Sequence, residues 1–199
     1  MPDLSIEREY HSKGYSIICG IDEAGRGPLS GPVVAAACIL PEGCEDWGLN
    51  DSKKLSPKKR DLLFDRIKTE SIAYGIGFAS PEEIDSMNIL NATFLAMRRA
   101  LEELGTTPDL ALIDGNLARG FDIPATPVIH GDAISCSISA ASILAKVTRD
   151  RICEEDALKY PEYDFASNKG YGTKAHMDAL RAYGPCPIHR RSFLKFLNT

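Results

Sequence analysis

A short glycine-rich link constrains this chain more than any other feature of it. Residues 15–21 and 32–40 are short apolar runs bounded by glycine and proline, and both read as strands. Only Gly25-Arg26-Gly27-Pro28-Leu29-Ser30-Gly31 separates the acidic end of the first run from the second. A parallel crossover takes about a dozen residues or more, so the two strands are expected to be antiparallel neighbours. A third apolar run, 72–79, alternates in the manner of a strand but is interrupted by Gly75 and Gly77.

Between the second and third runs, Ser56-Pro57 reads as an N-cap followed by proline at the first helical position. Residues 81–104 read as one helix, with Ile84, Met87, Ala92, Leu95, Ala96 and Leu104 as its apolar positions and Gly105 as its stop. Residues 109–113 and 126–129 read as two further strands. Over 134–160 a long helical pattern puts Ile134, Ile138, Ala141, Ala145 and Ile152 on one face. Ile143, Leu144 and Val147 widen that stripe, so much of this helix should be buried. Glycines and prolines from Pro161 onward mark a small helical appendage over about 160–199. The expectation is an α/β fold, a mixed sheet flanked by helices, forming a single domain over 1–199.

Composition narrows the function class only slightly. At 199 residues and 44% hydrophobic, the chain suits one packed domain. No run approaches the roughly 20 apolar residues that span a bilayer, and residues 1–11 are too polar for a secretory signal. A cytoplasmic protein without membrane contact is expected. Its six cysteines include no CxxC pair, which argues against a zinc ribbon and a disulfide scaffold. Cys19, Cys38 and Cys136 read as core residues. The net charge of −5 does not suggest nucleic acid, whose partners are usually basic. Clustered basic residues, or cations held in an acidic site, would be needed to offset it.

The acids that interrupt apolar elements are the informative ones. Asp22-Glu23 closes the first strand, Asp114 closes the fourth, and Asp132 precedes the long helix. Each has a plain alternative, as a solvated strand end, a turn at Asp114-Gly115, or a helix N-cap. Together they fall where sheet edges gather sites. Clustered carboxylates repel one another unless cations fill the space, and hard oxygen ligands suit Mg²⁺ or Mn²⁺. Adjacent strand residues point to opposite faces, so Asp22 and Glu23 cannot both aim inward from a regular strand. Either the chain turns at Gly25 or Glu23 contributes its main-chain carbonyl.

At these positions the sequence resembles the ribonuclease HII family. The likeness runs through 21–33, beginning Ile21-Asp22-Glu23-Ala24-Gly25-Arg26-Gly27, through Asp51-Ser52-Lys53-Lys54-Leu55, and through Asn88-Ile89-Leu90-Asn91-Ala92-Thr93. It continues through Ile113-Asp114-Gly115-Asn116, Gly131-Asp132, the block 139–150, Gly170-Tyr171-Gly172-Thr173 and His189-Arg190-Arg191-Ser192-Phe193. It spans nearly the whole chain.

The resemblance implies a ribonuclease-H-like fold and an endonuclease using two Mg²⁺ or Mn²⁺ ions. Its substrates would be RNA–DNA hybrids and duplex DNA with embedded ribonucleotides, cut to leave 5′-phosphate and 3′-hydroxyl ends. Asp22, Glu23, Asp114 and Asp132 match the family's metal-site acids. Gly25, Arg26 and Gly27 match the segment that reads the 2′-hydroxyl, and Tyr171 the tyrosine that stacks on the next sugar. Lys53 matches a lysine near the substrate backbone. Ser139, Ser142, Lys146 and Arg149 share a helical face, which reads either as a substrate face, with Ser139 and Lys146 as contacts, or as a solvated side. None of the four histidines is assigned to metal. Lys195-Phe196-Leu197 reads as the end of the last helix or as a docking tail. A monomer is expected, with the protein partner unknown. The rival readings are a junction resolvase on the same fold and a catalytically silent nucleic-acid-binding module.

Overall fold

The computed structural model describes residues 1–198. Its sheet holds β1 (Ile18–Ala24), β2 (Val33–Ile39), β3 (Ala73–Ala79), β4 (Leu110–Asp114) and β5 (Ala125–Val128), in the order β3-β2-β1-β4-β5. The pairs β1–β2 and β2–β3 are antiparallel, as the short link requires, while β1–β4 and β4–β5 are parallel. This is the mixed sheet expected. Around it stand α1 (Ser5–Ser12), α2 (Pro57–Glu70), α3 (Pro81–Met87), α4 (Ile89–Glu102), α5 (Gly131–Ile134), α6 (Cys136–Lys159), α7 (Phe165–Asn168) and α8 (Lys174–Tyr183).

Helices cover both faces of the sheet. One layer packs Cys136, Ala140, Ile143 and Leu144 of α6 with Leu63, Phe64 and Ile67 of α2 on the Ala36 and Cys38 side of β2. The other packs Ala92, Ala96, Met97 and Ala100 of α4 on Ala35 and Ala37. Gly75 and Gly77, which break the alternation of β3, have a packing reason. A Cβ at Gly77 would overlap the Ala96 carbonyl of α4, and one at Gly75 the Ala100 carbonyl. Strand and helix backbones therefore meet directly. All six cysteines are free and buried.

Several boundaries differ from the sequence reading. β1 begins at Ile18, because the amides of Ser16 and Ile17 donate to the Asp109 carboxylate at 2.9 Å each rather than to a neighbouring strand. At its other end β1 continues through Asp22 and Glu23, which pair with Ala36 and Ala35. The polar lead-in is helical: α1 packs inward through Glu7, whose carboxylate accepts from Ser135, 2.7 Å, and from the backbone and hydroxyl of Ser137. The long helix begins at Cys136 after a Ser135 N-cap, leaving Ile134 exposed in α5 instead of on the buried stripe. No helix among the described residues is long and apolar enough to cross a membrane.

The single helix expected over 81–104 is two. Asn88, at φ 71° and ψ 160°, ends α3 and starts α4, and its side chain accepts from the amides of Leu90 and Asn91 at 3.1 Å. That backbone region is almost confined to glycine and costs a non-glycine residue about 1–3 kcal/mol. The cap returns about 1 kcal/mol. Asn88→Ala, which keeps the strain and loses the cap, is expected to destabilise by ~1–2 kcal/mol. Asn88→Gly, which loses both, should be close to neutral. Urea midpoints of the two variants test this, and a glycine variant weaker than the alanine one would contradict it.

Candidate active site

The parallel pairing of β1 with β4 brings the acids together. Ile21 stands beside Ile113 in that ladder, so Asp22 and Asp114, the next residues, emerge side by side at one sheet edge. Asp132 arrives there in the first turn of α5, its amide donating to Asp114 Oδ1 at 3.4 Å. These acids and Glu23 line a single cleft of about 410 Å³. Asp22 and Glu23 both reach it because the cleft opens across the end of β1 rather than over one face. No sharp turn between them is required.

The electrostatics of the cluster are unfavourable as it stands. Burial pushes the Asp22 carboxyl well above the ordinary range, and the nearby charges of Glu23 and Asp114 push it further, against a hydrogen bond from Ser142. Burial also raises Glu23, opposed by Arg26, whose guanidinium lies 3.3 Å from the carboxylate. Asp132 is raised by burial, then by Asp114 and by Asp51. Asp51 is an acid that the sequence reading passed over, although its block was singled out for Lys53. Arg26 at Glu23 and Lys53 at Asp132 offset this only in part, and the net shifts stay upward.

A hard divalent cation fits that deficit, since the donors are all oxygen with no histidine or thiolate among them. Among the described residues, no three of these side chains converge closely enough to cage an ion as they stand. Asp22, Glu23, Asp114 and Asp132 are the residues that would hold one.

The rest of the lining comes from the loops. Gly25, Arg26 and Gly27 form one side, Tyr171 another, and Lys53 and Lys146 approach from the loop before α2 and from α6. A Cβ at Gly27 would stand 3.4 Å from the Tyr171 ring, so the ring lies directly beside the glycine loop at the cleft. Gly25, at φ 95°, is glycine for a packing reason as well as a conformational one: a Cβ there would overlap the Arg149 side chain.

The serine, lysine and arginine face of α6 is not a solvated side. Ser139 is fully buried and donates to the Asn50 carbonyl at 3.0 Å, so it supports the loop carrying Lys53 and does not line the cleft. Ser142, 3.0 Å from the Ser52 hydroxyl, and Lys146 do line it. Arg149 turns beneath the glycine loop and donates to the carbonyls of Pro32, Ser30 and Lys169.

Arg190, given no role from sequence, completes this underside. It is fully buried, and its guanidinium donates to the carbonyls of Gly31, Arg26, Pro28 and Gly25 at 2.6–3.0 Å. Burial and then the neighbouring Arg149 charge push it down to about 9. Only its place in the His189-Arg190-Arg191 block hinted at importance, because spacing cannot show that an arginine is internal.

Comparison with known proteins follows the same residues. Residues 19–196 match the Ribonuclease HII family. The chain belongs to that family. It is 55% identical over 189 residues to the ribonuclease HII of Clostridioides difficile (strain 630), covering 95% of this chain and 74% of that protein. With the ribonuclease HII of Desulfitobacterium hafniense (strain DSM 10664 / DCB-2) it shares 57% over 190 residues, 96% of this chain and 73% of that one. The crystal structure of ribonuclease H2 from Pyrococcus horikoshii OT3 superposes with a TM-score of 0.74 at 31% identity, covering 89% of this chain and 93% of that one. The fold is thus ribonuclease-H-like, and the chain is a nuclease of a family that cleaves the RNA of RNA–DNA hybrids.

Arg190→Lys tests the loop's support. A lysine's single ammonium cannot span these four carbonyls, and each buried carbonyl left unpaired costs about 1–3 kcal/mol. The variant should lose at least ~2 kcal/mol of stability and lose cleavage activity as the Gly25–Gly31 loop loosens. Wild-type activity and an unchanged urea midpoint would show that the fan is dispensable.

Proposed function

We propose that this protein cuts the phosphodiester on the 5′ side of a ribonucleotide embedded in duplex DNA, as well as the RNA strand of hybrids. The observation that carries this reading is that the four carboxylates share one cleft with Gly25–Gly27 and Tyr171. A hydrolytic site and a sugar-reading site are thereby adjacent.

In this reading Asp22, Glu23, Asp114 and Asp132 would hold two divalent cations, Mg²⁺ or Mn²⁺, which would lower the pKa of the attacking water and offset charge on the leaving oxygen. The water oxygen bonds to phosphorus, the bond from phosphorus to the upstream 3′-oxygen breaks, and that oxygen takes a proton. The products are a 3′-hydroxyl upstream and a 5′-phosphate on the ribonucleotide. The Gly25–Gly27 backbone contacts the 2′-hydroxyl that separates RNA from DNA. Tyr171 stacks on the following sugar and favours a deoxyribose, giving preference for a 5′-RNA–DNA-3′ step. Lys53 and Lys146 contact phosphates, which position the duplex without reading its sequence.

A labelled DNA duplex with one ribonucleotide, incubated with Mg²⁺, Mn²⁺ or a chelator, tests the reading. One metal-dependent cut on the ribonucleotide's 5′ side is expected. Cleavage of a uniform hybrid alone would remove the junction-reading role, and cleavage of an all-ribonucleotide-free DNA junction would favour a resolvase.

Asp22→Asn and Asp114→Asn should each lower cleavage by at least about 10²-fold, the scale of losing one preorganised electrostatic partner. In chelator the Asp22→Asn protein should melt higher than the wild type, because a buried repelling charge is gone. Each ~1 kcal/mol of relief corresponds to about 2–4 °C in Tm. A lowered Tm would mean that Asp22 stabilises the apo fold and that its repulsion is overstated.

A further inference from the structure

Behind Tyr171 lies a hydrogen-bonded chain that the cleavage chemistry does not use. His176 and His189 are fully buried in the appendage, their Nε2 atoms 2.9 Å apart. His176 Nδ1 lies 2.9 Å from the Tyr171 carbonyl oxygen, and His189 Nδ1 lies 3.0 Å from the Cys186 amide nitrogen. Phe165 and Tyr163 pack edge-on or tilted against the two rings, at 4.9–6.2 Å between centroids.

The two ends of this chain fix every proton in it. The Cys186 amide can only donate, so His189 Nδ1 is an acceptor, with the Cys186 thiol, also 3.0 Å away, as a second donor to it, and the His189 proton sits on Nε2. That proton is donated to His176 Nε2. The Tyr171 carbonyl can only accept, so His176 must carry its proton on Nδ1, which is the form the first step leaves it in. Both rings are neutral in this arrangement, each with one donor and one acceptor in use. Burial lowers His176, and burial together with His176 lowers His189 to about 4, which agrees with neutral rings.

The chain joins the two halves of the sugar-reading wall. His189 bridges Ser30 in the backbone, Gly31 donates to the Ile188 carbonyl at 2.9 Å, and Arg190 donates to the Leu29 carbonyl at 2.9 Å. The backbone around His189 is thus stitched to the glycine loop, while its side chain, through His176, holds the backbone of Tyr171.

We propose that His176 and His189 are positioning residues that set the gap between Tyr171 and the Gly25–Gly27 loop, and so set how strongly the site selects a deoxyribose after the ribonucleotide. This rests on the stacking role proposed for Tyr171.

The readout is the ratio of kcat/KM on a duplex with one embedded ribonucleotide to kcat/KM on a uniform RNA–DNA hybrid, which presents a ribose to Tyr171 instead. His176→Phe keeps a ring but donates nothing, and should lower the ratio about 3- to 10-fold, the scale of one lost net hydrogen bond. His176→Asn places an amide donor near the former Nδ1 position and should restore most of it. Tyr171→Ala should lower the ratio too, with no further fall when His176→Phe is added.

A lowered ratio in Tyr171→Ala but an unchanged one in folded His176→Phe overturns the positioning role and leaves the Tyr171 reading standing. An unchanged ratio in Tyr171→Ala overturns that reading and the positioning role with it. Nitrogen-15 NMR of the wild-type protein tests the chain even if His176→Phe fails to fold. Protons on His189 Nε2 and His176 Nδ1 are expected, and any other tautomer pair, or a charged ring at neutral pH, refutes it.

Discussion

Two buried guanidinium groups carry the architecture of the cleft. Arg149 of α6 and Arg190 of the appendage have no carboxylate among their hydrogen-bond partners, and both are solvated by backbone carbonyls. A charge taken out of water is costly unless it is fully hydrogen-bonded, so this arrangement is stable only when the carbonyls arrive together. Those carbonyls belong largely to Gly25–Pro32. The loop is therefore held in one conformation by the sheet helix beneath it and by the appendage beside it, and the appendage is held to the sheet by the same bonds. Asp85 adds a second tie, accepting from the amides of Arg191 and Ser192 at 2.7 and 2.9 Å.

The charge distribution resolves the difficulty raised by a net charge of −5. Acid is concentrated in the cleft, and basic side chains line the same cleft. Arg26 pairs with Glu23 at 3.3 Å and Lys146 with Asp150 at 2.6 Å, the arginine half exposed and the lysine pair largely shielded. A cluster of carboxylates raised by burial and mutual repulsion thus shares one cleft with Arg26, Lys53 and Lys146.

How much of this was legible in the sequence depended on the range of the interaction. The antiparallel start of the sheet follows from a link too short for anything else, and the four acids stand at ends of recognisable elements. Local chemistry at Asn88 was not readable, because asparagine at the required backbone angles looks like any polar helix position. Helix α1 is too short for its periodicity to separate it from a polar tail. Arg149 read as part of a substrate or solvated face and Arg190 had no reading of its own, because their carbonyl partners lie more than a hundred residues away for all but Lys169. Ser139 shares a face with Lys146 in the periodicity, yet the Asn50 loop covers that end of the helix and leaves only the later positions to the cleft.

The switch of strand direction at β1 explains why the site forms where it does. Among the described residues, β1 is the only strand with an antiparallel neighbour on one side, β2, and a parallel one on the other, β4. Parallel pairing delivers the ends of β1 and β4 to the same edge, which sets Asp22 beside Asp114. Antiparallel pairing forces the chain to turn back at that same edge, which places the Gly25–Gly31 loop directly above them. Were β1 and β2 parallel, the connection would cross over a face of the sheet and the loop would lie elsewhere. The closeness of the acids to the Gly25–Gly31 loop is therefore a consequence of topology. What remains for individual side chains is the fine spacing, which falls to Arg149 and Arg190 under the loop and to the histidine pair behind Tyr171.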